Sequence, residues 1–152
     1  MRSIVGEIVG GTRDVTVRDM EASVEHLSRG TMKHADALLV VLEPYYRSME
    51  TAGRIVPLAR GLGIGRVFGV ANKLRGPQDE QAVEDYCHKH DLPLVAKIPF
   101  DESVVEADRA GRAVIDYDVT SPVVEELSRV ADFLEREISP GGDGAGGHRD
   151  AQ

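Results

Sequence analysis

Two apolar segments constrain the fold of this 152-residue chain more than any other feature. They are "ALLVVLE" at residues 37–43 and "VFGVANK" at residues 67–73, and each is almost continuously apolar. Such a run is typical of a parallel strand covered on both faces, because a strand with one wet face alternates apolar and polar residues. We therefore predict two buried parallel strands, at residues 37–43 and 66–73.

The rest of the chain alternates strand-like and helical segments. Shorter runs rich in β-branched residues predict further strands at residues 15–19 and 94–100. Helical spacing of apolar residues predicts helices at residues 48–62, 79–90 and 122–138. This alternation predicts an α/β fold with a mostly parallel sheet flanked by helices.

Local signals refine the predicted helices. Pro57 should kink or end the first one, because proline removes a backbone hydrogen bond inside a helix. Asp79 is a candidate N-cap of the second, and Ser121 is a candidate cap of the third. The segment 139–152 is rich in glycine and almost free of apolar residues, so we predict a folded domain over residues 1–138 and a disordered tail.

Composition excludes several classes of function. The net charge of −8 argues against sequence-independent nucleic-acid binding and against an anionic membrane surface, since both need basic residues. No apolar run approaches the roughly 20 residues that a membrane span needs. Cys87 is the only cysteine, which rules out an internal disulfide and favours a cytoplasmic location.

Each predicted strand ends in polar residues, at Asp19, Glu43, Asn72 with Lys73, and Asp101. Ligands of open α/β sheets bind outside the carboxyl ends of the strands. Loops carry polar residues in any case, but four polar strand ends together favour a binding site at this edge of the sheet.

Asn72 is the most informative of these residues. Its amide offers both a donor and an acceptor, which suits the N6/N7 edge of adenine. In many GTPases an Asp two residues after the lysine of an Asn-Lys pair accepts from guanine, but here that position is Arg75, which only donates. We therefore expect adenine to be favoured over guanine. The alternative is that Asn72 only forms a turn before "RGPQ".

The stretch "VTVRDMEASVEH" at residues 15–26 places Asp19, Glu21, Glu25 and His26 at the end of a predicted strand. These residues are either a solvated first helical turn or the surroundings of a metal-bound ligand. An Asp that ends a buried strand is how P-loop nucleotidases hold Mg²⁺, often through a water.

Four segments, taken in order, resemble the second half of the MinD/ParA-type deviant-Walker ATPases: "DMEASVEHLSRGT", "VVLEPYYRSMETAGRI", "VANK" and "IPFDESVVEADRAGRAV". The first two are most similar to the CooC type, the nickel-insertion accessory ATPases that mature carbon-monoxide dehydrogenase. The resemblance covers residues 1–117. It implies a P-loop NTPase fold of the SIMIBI class, with ATP and Mg²⁺ as ligands.

The resemblance also implies roles for individual residues. Asp19 matches the Walker B-like Asp that orders Mg²⁺, and residues 21–31 match the switch segment that follows it. The positions that match the adenine site are Asn72, which matches the Asn that contacts the base, and Pro99, Phe100 and Asp101, which match the loop that packs against it.

The chain departs from this family pattern in its phosphate-binding part. None of its lysines follows a glycine, so the glycine-rich Walker A loop that cradles phosphates is not recognisable. The Cys-x-Cys metal motif of the CooC type is also absent. Within the matching part, Arg18 replaces an apolar residue and Ser23 replaces a glycine. We therefore expect a fold lacking the N-terminal Walker A module, weakened or lost binding of ATP and Mg²⁺, and negligible ATPase activity.

The parental function implied by the resemblance is ATP-dependent nickel insertion into carbon-monoxide dehydrogenase, which is then a candidate partner. The alternative is a non-enzymatic module that pairs with a separate P-loop subunit or with a full-length paralogue. In either case we expect a homodimer or capture by a P-loop-bearing partner, because strands left unpaired would be exposed.

Two other hypotheses have less support. Asp19 and Lys73 at strand ends would permit a receiver-like phosphoacceptor domain, but its usual pair of acids after the first strand is not visible. Cys87, His88 and His90 are close in sequence and could contribute to a metal site. Adjacent residues on a helix point to different sides, however, which weakens the second hypothesis.

Overall fold

The computed structural model describes residues 16–20 and 35–138. Within them, three parallel strands form a sheet in the order β1-β2-β3, namely β1 (Leu38–Leu42), β2 (Val67–Leu74) and β3 (Leu94–Pro99). The helices are α1 (Tyr46–Gly61), α2 (Pro77–Lys89), α3 (Glu102–Arg109), α4 (Val114–Tyr117) and α5 (Pro122–Ile138).

The central strand β2 shows why the apolar runs are continuous. Val67 and Ala71 belong to a core cluster built with α1 and α2, whereas Val70 belongs to a second cluster built with α5. Phe68 also faces α5, where its ring meets the ring of Phe133 edge-on at 4.9 Å between centroids. Alternate residues of one strand thus pack against helices on opposite faces. The predicted α/β fold with a parallel sheet between helices is confirmed.

The predicted strand at residues 15–19 is wrong for its described part. Residues 16–20 are not paired in the sheet, and residues 16–19 are exposed, with Val17 at 84%. Only Met20 packs against the first core cluster. These exposed side chains bury too little apolar surface to offset the entropy of fixing the backbone. The other three predicted strands are confirmed to within one residue at each end.

The helix signals were correct in part. Helix α1 does not end at Pro57, because its buried residues Val56 and Ala59 lie on both sides of the proline and pack the helix against the core. Asp79 is not an N-cap, because α2 begins at Pro77, a residue pre-organised for the first helical position. Ser121 does cap α5, accepting a hydrogen bond from the Val123 amide at 3.2 Å. Helices α3 and α4 were not predicted.

The two outer strands of the described sheet differ in chemistry. β3 contains an irregularity at Val95, is flanked by Pro93 and ends in Pro99. Its Lys97 ammonium lies 3.0 Å from a carboxylate oxygen of Glu80 and 3.0 Å from one of Glu84. Strand β1 has no charged residue, and its sequence is LLVVL.

The predicted domain limits fall partly outside the described residues. The glycine-rich segment 139–152 and residues 1–15 and 21–34 are not described. The disordered tail therefore stays a prediction.

Candidate functional site

The carboxyl ends of β1 and β2 are joined by an ion pair. Because the strands are parallel and Leu42 lies opposite Ala71, residues 43 and 73 follow at the same edge of the sheet. The Lys73 ammonium lies 2.6 Å from Oε1 of Glu43. Glu43 is held in turn by its amide, which donates to the Ser48 hydroxyl at 2.9 Å. The sequence placed Glu43 and Lys73 at strand ends, and the structure brings them together.

Asn72 is half-buried next to this ion pair. Its Oδ1 accepts a hydrogen bond from the Lys73 amide at 3.0 Å. Lys73 has a φ of 59°, the left-handed region that favours glycine, so the backbone turns sharply at this point. An amide oxygen has two lone pairs, and the Asn72 nitrogen makes no hydrogen bond within the described residues. Asn72 therefore still offers one acceptor and two donors to a ligand.

Phe100 and Arg75 form a stacked pair at the ends of β3 and β2. Leu74 lies opposite Pro99 in the sheet, and the Phe100 amide donates to the Leu74 carbonyl at 2.8 Å. This bond holds Phe100 beside the residue that follows Leu74. The guanidinium carbon of Arg75 lies 3.7 Å from the centroid of the Phe100 ring. The sequence had suggested Arg75 only as a residue unsuited to guanine, and this contact was not predicted.

Asp101 has a structural function that is visible in its contacts. Asp101 caps α3, because its Oδ1 accepts a hydrogen bond from the Ser103 amide at 2.9 Å. Its Oδ2 accepts a hydrogen bond from the Ser121 hydroxyl at 2.7 Å. These bonds lower the pKa of the Asp101 carboxyl from its ordinary value, the Ser103 amide having the larger effect. Ser121 is itself buried and caps α5. Asp101 therefore fixes the loop after β3, including Phe100, to the start of α5.

Asp19 lies in the described residues but is exposed and makes no hydrogen bond or ion pair there. The switch segment at residues 21–31 lies outside the described residues. In the part of the chain that the structure describes, no group of three or more His, Cys, Asp or Glu side chains could hold a metal ion. The assignment of Asp19 to Mg²⁺ stays a prediction.

The Cys87, His88 and His90 cluster does not form a metal site. Cys87 is buried, and this burial raises the pKa of its thiol to about 11, which disfavours the thiolate that binds metals. His90 stacks on Tyr86 with 4.3 Å between ring centroids, whereas His88 is exposed. The helix directs these side chains to different surroundings, as the sequence had indicated.

A broad depression of about 440 Å³ lies away from the strand ends, between α2 and α5 along β3. Its lining includes Lys97, which is already paired with two glutamates, and Arg129, which pairs with Glu125 and Glu126. With its cations neutralised, this depression offers little to an anionic ligand. The strand ends remain the stronger candidate.

Sequence similarity relates the chain to known proteins. No protein-family model matches the chain. Over 138 residues, 90% of its length, it is 39% identical to the carbon monoxide dehydrogenase accessory protein CooC of Rhodospirillum rubrum. The chain is a homologue of the MinD/ParA-type, CooC-like ATPases. It is also 27% identical over 135 residues to an uncharacterised ATP-binding protein of Methanocaldococcus jannaschii.

Solved structures show the same fold. The MinD cell division protein of Aquifex aeolicus superposes with a TM-score of 0.59 at 20% identity, over 68% of this chain and 45% of that one. This CooC-like chain spans about half the length of the curated relatives it matches, 51% for both the Rhodospirillum and the Methanocaldococcus protein. No helix in the described residues is long and apolar enough to cross a membrane.

Proposed function

We propose that the strand-end cluster, formed by Asn72, Pro99, Phe100 and Asp101 at the carboxyl ends of β2 and β3, is the base-binding part of an ATP site. One observation carries the proposal: Asn72 lies at the end of β2 with an amide nitrogen and a lone pair that no described residue uses, and the Phe100 loop lies at the end of the neighbouring strand β3. Homology to CooC and to ATP-binding proteins supports adenine nucleotide as the ligand.

The chemistry of the cluster fits adenine. The adenine N6 amino group donates and N7 accepts, so one amide side chain can satisfy both. Pro99 supplies an apolar surface beside the base, Phe100 supplies the aromatic ring of the same loop, and Asp101 holds this loop in place. These residues fit the base. Among the described residues there is no loop that could hold the phosphates, so the proposed site recognises only the base.

Photolabelling tests this proposal directly. A chain exposed to 2-azido-ATP under light should carry the label on peptides containing residues 72–75 or 99–101, and excess ATP should suppress it. Labelling restricted to other peptides, or labelling that ATP does not suppress, would contradict the proposed site.

Substitution of Asn72 provides the second arm of the test. Asn72→Ala removes two neutral hydrogen bonds, so the affinity for ATP should fall by roughly 10-fold. Gln81→Ala is the matched control, because Gln81 is an exposed amide on α2 that bonds Asp85 and lies outside the proposed site. Equal affinities of wild type and Asn72→Ala would remove Asn72 from the site.

We further propose that the chain acts with a carbon-monoxide dehydrogenase, as the name of its Rhodospirillum relative suggests, and that Mg²⁺ at Asp19 accompanies the nucleotide. Co-purification provides the test. A tagged chain expressed together with carbon-monoxide dehydrogenase should retain that enzyme, and the Asn72→Ala variant should retain less of it in the presence of ATP. No retention above an untagged control would contradict action with this enzyme and favour the alternative of an interaction module that pairs with a P-loop-bearing partner.

A further inference from the structure

The Arg75–Phe100 contact has the geometry of a stack. A separation of 3.7 Å between the guanidinium carbon and the ring centroid is that of two planar groups in face contact. The guanidinium group is planar and only weakly hydrated, so its faces can lie on apolar surfaces. With one face on Phe100, the other face of this exposed side chain can accept a second planar group.

The backbone holds both partners of this stack. The Arg75 amide donates to Oδ2 of Asp79 at 2.9 Å, which fixes the chain between β2 and α2. The Phe100 amide is fixed to Leu74 on the neighbouring strand. No carboxylate pairs with the Arg75 guanidinium in the described residues, so no ion pair draws it away from the ring.

We infer that Arg75 is a stacking residue for a purine base, with its guanidinium held between Phe100 and the ligand. This inference rests on the proposed ATP site, because Asn72 lies three residues before Arg75 at the end of the same strand. Stacking of bases on arginine planes and aromatic rings is a recurrent mode of nucleotide recognition.

Affinity for the base and selection of the base are supplied by different residues. Every base has a π face, so stacking on Arg75 strengthens binding without distinguishing adenine from guanine. Arginine reads the O6 and N7 of guanine only when its guanidinium lies in the plane of the base, which a stacked geometry excludes. Arg75 therefore supplies affinity for purines, and Asn72 supplies the preference for adenine.

The test measures affinities for ATP, GTP and CTP carrying a fluorescent group on the ribose, in the full chain. Arg75→Ala should weaken ATP and GTP by a similar factor of roughly 10- to 100-fold, and CTP by less because a single pyrimidine ring offers a smaller stacking area. Arg75→Lys keeps the charge but loses the plane, so it should behave like Arg75→Ala. Arg112→Ala is the matched control, since Arg112 lies over Tyr117 at 5.6 Å, beyond the far end of α3, and should change nothing.

Each outcome decides the inference. A wild-type level of binding in Arg75→Ala, full rescue by Arg75→Lys, or a changed ratio of ATP to GTP affinity would overturn it while leaving the proposed ATP site intact. A wild-type chain that binds no purine nucleotide would overturn the proposed site as well. Phe100→Leu, which removes the ring beneath the guanidinium, carries the same test if Arg75→Ala does not fold, and it should also weaken ATP and GTP equally.

Discussion

Lys73 links the ends of two neighbouring strands by placing its ammonium 2.6 Å from the Glu43 carboxylate, and it does so from a left-handed backbone conformation with φ of 59°. The two features act in opposite directions on stability. A partly exposed ion pair contributes about 0–1 kcal/mol, whereas a non-glycine residue in the left-handed region costs roughly 1 kcal/mol. The proposed base-binding residue Asn72 lies directly before this turn.

Replacement of Lys73 separates these two contributions. Lys73→Ala loses the ion pair and keeps the strained backbone, whereas Lys73→Gly loses the ion pair and also relieves the strain. Lys73→Gly should therefore be more stable than Lys73→Ala by about 1 kcal/mol. Urea unfolding measures the difference. Asp91 is the comparison site, because it is the other non-glycine residue with positive φ in the described chain. Aspartate tolerates the left-handed region better than most residues, so the difference in stability between Asp91→Gly and Asp91→Ala should be smaller. Equal stabilities of the two Lys73 variants would show that the turn is not strained.

Asp101 makes stability depend on acid pH. Its folded pKa is lowered, so the unfolded chain binds the proton more readily. Its stabilising contribution is therefore complete above the ordinary aspartate pKa near 3.8 and is lost as pH falls from there through the lower folded pKa. Asp101→Asn should remain folded at neutral pH and show a weaker loss of stability in this acid range, measured by thermal unfolding at a series of pH values. A slope identical to wild type would contradict the assignment.

Gly53 allows α1 to approach α2 closely. A Cβ atom at this position would lie 2.4 Å from the Tyr86 hydroxyl oxygen and 3.2 Å from Cε1 of His90. Gly53→Ala should therefore lower the free energy of unfolding by about 1–2 kcal/mol, despite the better helix propensity of alanine.

Two further variants check this explanation. Gly61 in the same helix has nothing within 4 Å of an added Cβ, so Gly61→Ala should be neutral or stabilising by up to about 1 kcal/mol. Tyr86→Phe removes the clashing oxygen and should recover part of the loss in Gly53→Ala. Additive effects of the two substitutions would mean that the tyrosine is not the cause.

Cys87 reports on opening of the domain. The residue is 2% exposed, burial raises the pKa of its thiol to about 11, and it is the only cysteine in the chain. A disulfide reagent at about pH 8 should react slowly with the native chain and fast in denaturant, because the reactive species is the thiolate. Rapid labelling without denaturant would show that α2 is not packed as described.

The same thiol makes stability depend on alkaline pH. Since the folded pKa of Cys87 is raised, the free energy of unfolding should fall as pH rises from the ordinary thiol value of 9.0 towards 11.

The apolar strand β1 should promote self-association. Val41 is 57% exposed on this outer strand, and an uncharged edge is a template for another strand. Val41→Lys should shift the sedimentation profile at micromolar concentration towards monomer. Leu127→Lys is the control, because Leu127 is 47% exposed on α5, away from β1. A monomeric wild-type chain would contradict our expectation of a homodimer.

The sheet was predictable because its signal is local. An apolar run such as residues 67–74 admits few alternatives, and it forms the central strand with both faces covered. Helix α3 could also have been found, since Asp101 at its N-cap, Arg109 in its last turn and Gly111 with φ of 65° are ordinary terminal signals. The exposed segment at residues 16–19 carries a strand-like pattern, but pattern alone does not supply a pairing partner.

The site was predictable only as a set of strand ends. Asn72 followed from its amide at a strand end, residues 99–101 followed from the chain's resemblance to a nucleotide-binding family, and their ligand contacts stay predictions. The Arg75–Phe100 stack depends on the hydrogen bond from Phe100 to Leu74, hence on the register of two strands distant in sequence. No pattern along the chain reports such a register. The same holds for the bond between Asp101 and Ser121.

The irregularity at Val95 limits how this protein can assemble. With prolines at both ends and Lys97 held by two glutamates, β3 offers no regular row of backbone groups to an incoming strand. A filament built by strand addition needs two edge strands on every subunit that can each pair with another strand, and the described sheet has one such edge, β1. Pairing through β1 would therefore close after a single two-fold step, so association by this route ends in discrete pairs and does not propagate into fibres.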